Sequence, residues 1–145
     1  MQAITDLREL LACMQPERIA GCYAFVVLPE GVSLEPATIF ASIREPEGLS
    51  VIVAEEVALA LSLPIAFRAA WITLQVHSDL AAVGLTAAVA AALAEAGISC
   101  NVVAGVHHDH LFVPFDAAQQ AMDALQALSR DGAYPSAKQF PKSHA

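Results

Sequence analysis

The longest apolar run in the sequence extends from Leu80 to Ala94, and an acidic residue lies at each end of it. The run is shorter than the roughly 18–20 residues that a membrane-spanning helix needs. It is rich in alanine, and it is followed by Gly97, a residue type that commonly ends helices. The run therefore predicts a buried helix, beginning at Gly84, in a protein that does not cross a membrane.

The segments around this helix predict the order strand, helix, strand, hairpin, helix in the second half of the chain. Residues 70–77 alternate in polarity as a strand does, and residues 98–106 and 110–115 are strand candidates separated by a tight turn. Asp116 is a plausible N-cap for the last helix. This is the ferredoxin-like order, in which the strands joined by the helix run parallel and the last strand lies between them.

The first half of the chain repeats part of this pattern. LSVIVAEEVALAL, beginning at Leu49, is similar to LFVPFDAAQQAMD, beginning at Leu111, and each predicts a strand that leads into a helix with an acidic start. The predicted elements before it are a helix capped by Thr5 and strands at 22–28 and 37–44. We therefore divide the chain into an N-terminal half at 1–66, a C-terminal domain at 67–131 and a tail at 132–145.

Composition and charge exclude several classes of partner. The formal net charge of the 145 residues is −8, and the seven Lys and Arg form no basic stripe. Binding to nucleic acid or to an anionic membrane surface is therefore not expected. The three cysteines contain no CxxC pair, which argues against a disulfide framework or a zinc ribbon. No signal peptide is recognisable, so we expect a cytoplasmic protein.

The predicted topology brings candidate binding groups to one end of the sheet. The loop after His77, the hairpin near Asp109 and the start of the helix at Gly84 should meet there. The free N–H groups of Leu85 and Thr86 would suit a carboxylate, and Asp109 would suit an ammonium group, so a free amino acid fits both. In the alternative interpretation, Gly84 only allows close packing and Asp109 only forms a turn.

The second half resembles ACT domains. The segment VHSDLAAVGLTAAVAAALAEAGISCNVVAG is similar to their core, with a strand, an acidic loop and a Gly-hydrophobic helix start. The continuation HHDHLFVPFDAAQQAMDAL resembles the branch found in small tandem-ACT proteins of bacteria and in the CASTOR arginine sensors, and FASIREPEGLSVIVAEE resembles the first half of those bacterial proteins. The resemblance implies an α+β fold with two ferredoxin-like, βαββαβ-type halves, antiparallel sheets and helices packed on one face.

The same resemblance implies a regulatory protein that binds an amino acid at an interface between two domains or two chains. It implies no catalytic role and no cofactor. We add His108, the neighbour of Asp109 in the hairpin, to the expected contacts. The predicted ligand-binding residues are Val83, Gly84, Leu85, Thr86, His108 and Asp109.

The sequence is also compatible with three other functions. His107, His108 and His110 lie close together and could bind zinc, nickel or copper. Cys100, paired with His77 or His110, could serve as a nucleophile with its base. The chain could also be a structural assembly module that has lost ligand binding.

Apolar residues make up 57% of the chain, more than one small core needs. A sheet with helices on one face leaves its other face partly open, so a second chain or the N-terminal half must cover it. We therefore expect a homodimer. Trp71 is expected either to anchor an interface or to lie half-buried in the core.

Overall fold

The structure is a computed structural model, and it describes residues 6–131. Its helices and strands are α1 Leu7–Ala12, β1 Pro16–Leu28, β2 Ala41–Glu45, β3 Gly48–Ala54, α2 Glu55–Ala60, β4 Phe67–Leu74, α3 Leu85–Glu95, β5 Asn101–Ala104, β6 Asp109–Pro114 and α4 Ala118–Asp131. The order of elements predicted from the sequence is confirmed. Among the helices of these residues, none has the length and hydropathy of a membrane span.

Several element boundaries differ from the prediction. Strand β1 begins at Pro16 rather than at Cys22, and β4 begins at Phe67 rather than at Ala70. Thr5, the predicted cap of α1, and the tail at 132–145 lie outside the described residues. The cap of α1 is Asp6, whose carboxylate accepts a hydrogen bond of 3.0 Å from the Glu9 N–H.

The six strands of residues 6–131 form one sheet in the order β2-β3-β1-β4-β6-β5, and every neighbouring pair is antiparallel. Strand β6 lies between β4 and β5, so β4 and β5 run parallel, as predicted for the second half. The first half has the same arrangement of β1, β3 and β2. However, the connection between β1 and β2 carries only a short 3-10 turn, Pro36–Thr38, where the second half has α3. The expected pair of βαββαβ-type halves is therefore corrected in two respects. The first half lacks a helix between its first two strands, and the strands of both halves share one sheet.

The two halves are joined through β1. Its residues 23–28 pair with β3, and its residues 16–19 and 23–25 pair with β4. Between these stretches the register with β4 shifts, and Gly21 takes a φ of +106° that side-chain-bearing residues rarely adopt. Because β1 is hydrogen-bonded on both sides, it belongs to both halves.

The helices cover one face of this sheet. The larger core beneath them combines β4 and β6 with residues of α3 and α4, and it also includes Leu10, Leu11 and Met14 from α1 and the residues that follow it. A smaller core lies under α2, where Ala58 packs on Val26 and Val53. The N-terminal helix therefore packs with the second half rather than with the strands that follow it.

The opposite side of the sheet is rich in aromatic residues. We call it the aromatic face and define it by Tyr23, Phe25, Phe67, Trp71 and Phe112. Tyr23 and Phe112 are buried although no helix covers this side, because the sheet curls around them. Residues of both sheet edges, β2 and β5, line one apolar groove of about 520 Å³ on this face. The N-terminal half therefore covers much of the face that was expected to be open.

Candidate ligand-binding site

Two loops meet at one end of the sheet, next to the start of α3. Ser78, in the loop after β4, donates a hydrogen bond of 3.3 Å from its hydroxyl to the Asp109 carboxylate. In the hairpin between β5 and β6, His108 Nδ1 lies 3.4 Å from the Val76 carbonyl oxygen. The rings of His77 and His107 are 5.3 Å apart. The loop at 75–83 and the hairpin at 105–108 are therefore held together by side chains.

Gly84 is the N-cap residue of α3. It has a φ of +106° and no side chain that could cap the helix. The first N–H groups of a helix have no partner within it, and the helix dipole makes this end positive. Leu85 is buried and Thr86 is exposed. Val83, just before the cap, is 84% exposed. This end of α3 therefore offers uncapped N–H donors beside an exposed apolar side chain.

Gly84 also contacts α1. A Cβ placed on Gly84 would lie 3.0 Å from Leu7 Cδ2, which is closer than most real Cβ contacts. This contact favours the packing interpretation of Gly84. It still leaves the N–H groups of Leu85 and Thr86 as candidate donors.

Asp109 begins β6, two residues before Leu111, whose side chain is in the core beneath the helices. Because side chains alternate along a strand, Asp109 lies on the helix-covered face, the same face as α3. Ser78 is buried and has no local sequence signal, and sequence reasoning missed it as the partner of Asp109. Asp79 is engaged within its own loop, where it accepts a hydrogen bond from the Ala81 N–H.

The histidines near the hairpin point in different directions. The imidazole of His108 faces Val76, whereas that of His110 lies on the aromatic face, with Nδ1 3.1 Å from Trp71 Nε1 and 3.1 Å from Thr73 Oγ1. In the part of the chain that the structure describes, no group of three or more His, Cys, Asp or Glu side chains is arranged to hold a metal ion. The geometry therefore gives the metal-binding alternative no support.

Cys100 does not form the nucleophile–base pair that the sequence left open. Its side chain packs against the core beneath the helices, whereas His110 lies on the other face of the sheet. His77 lies beside His107, which follows β5, whereas Cys100 precedes that strand. Burial raises the pKa of the Cys100 thiol to about 11, so the thiol stays protonated at neutral pH. A protonated thiol without a base nearby is a poor nucleophile.

Similar chains among the solved structures include proteins from two bacteria. A Vibrio cholerae protein of unknown function, VC0802, described as a possible transport protein, is 45% identical, with a TM-score of 0.75 over 85% of this chain and 95% of its own. The Agrobacterium tumefaciens protein Atu0741 is 17% identical, with a TM-score of 0.60 over 79% of this chain and 87% of its own, and this similarity concerns the fold alone. A search of curated proteins gave no match.

Comparison with family models covers almost the whole chain. One ACT-domain model matches residues 2–70 and a second ACT-domain model matches residues 67–127. ACT domains are regulatory modules that generally bind small molecules and often dimerise. The chain therefore belongs to the ACT-domain family, with two ACT domains in tandem.

Proposed function

We propose that this protein is a regulatory sensor that binds a free amino acid at the end of the sheet formed by the 75–83 loop, the 105–108 hairpin and the start of α3. The hydrogen bond between Ser78 and Asp109 is the observation that carries the proposal, because it fixes a carboxylate on the face where α3 begins. The protein has no catalytic role in this proposal.

The ligand's carboxylate is assigned to the N-terminus of α3. The uncapped N–H groups of Leu85 and Thr86 point out of the helix at its positive end, where anions are stabilised. Val83 and Gly84 form the backbone that leads into these donors. The helix is 11 residues long, so its dipole is well developed.

The ligand's ammonium group is assigned to Asp109, with His108 beside it in the hairpin. A hydrogen bond between two charged groups contributes about 1.5–3 kcal/mol. Ser78 holds one oxygen of the Asp109 carboxylate by a hydrogen bond of 3.3 Å, and the other oxygen is left to accept from the ligand. In this division of roles, an acid at this position suits an ammonium group better than an amide would.

A second chain is proposed to cover the ligand. Leu80 is 64%, Val83 84% and Val106 68% exposed, and all three belong to the two loops of the site. Apolar side chains clustered around a polar site are typical of an interface. A homodimer formed here would exclude water from the ligand, and this is the arrangement that the proposal adopts.

The test is thermal stability and calorimetry of the wild-type protein with each of the twenty amino acids. A ligand present at about a hundred times its Kd stabilises the fold by about 2.7 kcal/mol. Asp109→Asn is expected to weaken binding roughly 10- to 150-fold, the equivalent of about 1.5–3 kcal/mol. Asp123→Asn, an exposed carboxylate change on α4, is the matched control and should bind as the wild type does.

Ligand derivatives separate the two assigned contacts. The N-acetyl form of the bound amino acid lacks the ammonium group and should bind the wild type weakly, with no further loss in Asp109→Asn. The amide form lacks the carboxylate and should lose the contact with α3 in both proteins. If none of the twenty amino acids stabilises the protein at millimolar concentration, the sensor proposal is wrong and a structural assembly module is the better interpretation.

A further inference from the structure

The imidazole of His110 connects β4 to the hairpin of the proposed site. Its Nδ1 lies 3.1 Å from the indole Nε1 of Trp71 and 3.1 Å from the hydroxyl oxygen of Thr73, both on β4. At its other edge, Nε2 faces the hairpin, where a Cβ placed on Gly105 would lie 3.3 Å from it. The ring therefore fills the space between the strand and the hairpin on the aromatic face.

The Trp71 contact fixes the protonation state of this imidazole. An indole N–H only donates hydrogen bonds, so His110 Nδ1 must carry a lone pair and the ring is neutral, with its proton on Nε2. A proton on Nδ1 would bring two N–H groups face to face. Thr73 can turn its hydroxyl from donor to acceptor, but Trp71 cannot, so protonation breaks the Trp71 contact specifically.

We infer that the Trp71–His110 pair is a proton-sensitive element that positions the 105–108 hairpin, and that protonation of His110 releases the hairpin end carrying His108 and Asp109. His110 is then a positioning residue. The effect on amino-acid binding rests on the proposed function, whereas the proton-sensitive contact does not.

The surroundings of His110 agree with this inference. Burial and the charge of His108 lower the pKa of His110, and the charge of Asp109 opposes them. On the two flanking strands, the ring's neighbours are Trp71 and Thr73 of β4 and the paired Val103 of β5, none of which carries a charge. The folded protein disfavours the imidazolium form of His110. The neutral ring therefore adds to the free energy of unfolding above pH 6.5, and this contribution is lost as the pH falls from 6.5 through the lowered pKa of His110.

The test uses Trp71, the only tryptophan in the chain, as its own reporter. Intrinsic fluorescence of the ligand-free protein is followed from pH 8 to pH 4.5, and an imidazolium beside an indole quenches its emission. We expect one quenching step with a midpoint below the ordinary histidine value of about 6.5. His110→Gln should abolish the step, because the amide oxygen still accepts from Trp71 but does not titrate in this range.

Neighbouring substitutions give shifts of opposite sign. His108→Gln should raise the midpoint, because it removes a positive charge, and Asp109→Asn should lower it, because it removes a negative one. His107→Gln, in the same hairpin, is the control and should leave the midpoint unchanged. The inference is overturned if the step persists in His110→Gln, or if the changes at His108 and Asp109 move the midpoint in the same direction.

A second variant covers the case in which His110→Gln fails to fold. Trp71→Phe removes the indole donor, so the pKa of His110, followed by the NMR shifts of the imidazole, should rise above its wild-type value. An unchanged pKa would contradict the inference. If the fluorescence step behaves as expected but no amino acid binds, the proton-sensitive contact stands and the proposed function fails.

Discussion

Leu7 of α1 lies directly against Gly84 at the start of α3, at a distance that a side-chain-bearing residue at position 84 would not tolerate without rearrangement. A Cβ on Gly84 would lie 3.0 Å from Leu7 Cδ2. The first helix of the chain thus packs on the start of the helix that the proposed ligand would contact. The packing of α1 and the proposed ligand binding would therefore both involve Gly84.

Gly84→Ala should destabilise the protein by more than the roughly 1–2 kcal/mol that a positive φ costs alanine, because its Cβ would also press against Leu7. Gly97→Ala is the control: its φ is +76°, and a Cβ there would meet no atom within 4 Å, so only backbone strain applies. Chemical denaturation of Gly84→Ala, Leu7→Ala and the double variant measures the steric part. The double variant should be less destabilised than the sum of the two single variants, because Leu7→Ala makes room for the new Cβ. A loss of stability equal to that sum would contradict the contact.

Leu10→Ala should cost about 2–5 kcal/mol, because Leu10 is fully buried in the core shared with α3 and α4. Leu59→Ala on α2 is the matched control, since Leu59 is 63% exposed and its loss should change stability by less than about 0.5 kcal/mol. Both values come from denaturant unfolding. Equal effects would mean that α1 does not stabilise the second half.

The three cysteines should differ in reactivity toward a maleimide at pH 7.5. Cys13 is exposed and should react fast, and Cys13→Ser should remove the fast phase. Burial raises the pKa of Cys22, and the charge of Glu55 raises it further, so little thiolate is present at this pH. Glu55→Gln should therefore speed the labelling of Cys22.

Cys100 should be the slowest of the three, because burial raises its pKa to about 11. Mass spectrometry of digested samples assigns each label to its cysteine. Rapid labelling of Cys100 in the native protein would contradict its place in the core.

Val83→Asp should dissociate the proposed dimer while leaving the fold intact, because Val83 is 84% exposed in a single chain and would meet the partner. Leu59→Asp, an equivalent change on α2, should not alter the oligomeric state. Light scattering at tens of micromolar gives the mass. A wild-type monomer, or a Val83→Asp dimer as stable as the wild type, would rule out this interface.

The second half of the fold could be predicted because its local signals are strong. Residues 70–77 alternate in polarity, and Gly84 and Gly97 mark the ends of α3, so the order and the direction of the strands follow. The pairing of β1 with β4 could not be predicted. It joins residues far apart in the sequence, and the exposed Glu17 and Arg18 at the start of β1 resemble a loop.

The candidate site was predicted only in part. The pattern at 83–86 and the acid at 109 were visible in the sequence, because glycine and aspartate have distinctive backbone and charge properties. Ser78 and Leu7 were missed, since a serine after a strand and a leucine in an amphipathic helix have many ordinary roles. His110 was considered for metal binding and catalysis, and only the structure places it beside Trp71.

The pairing of β1 with both β3 and β4 has a mechanical consequence. The two ACT matches meet at residues 67–70, at the start of β4, so a cut at that point would separate β4 from the strand that completes its ladder. Movement of the two domains as independent bodies would require breaking the backbone hydrogen bonds between β1 and β4. The two ACT domains therefore share one hydrogen-bonded sheet, in which β1 is the common strand.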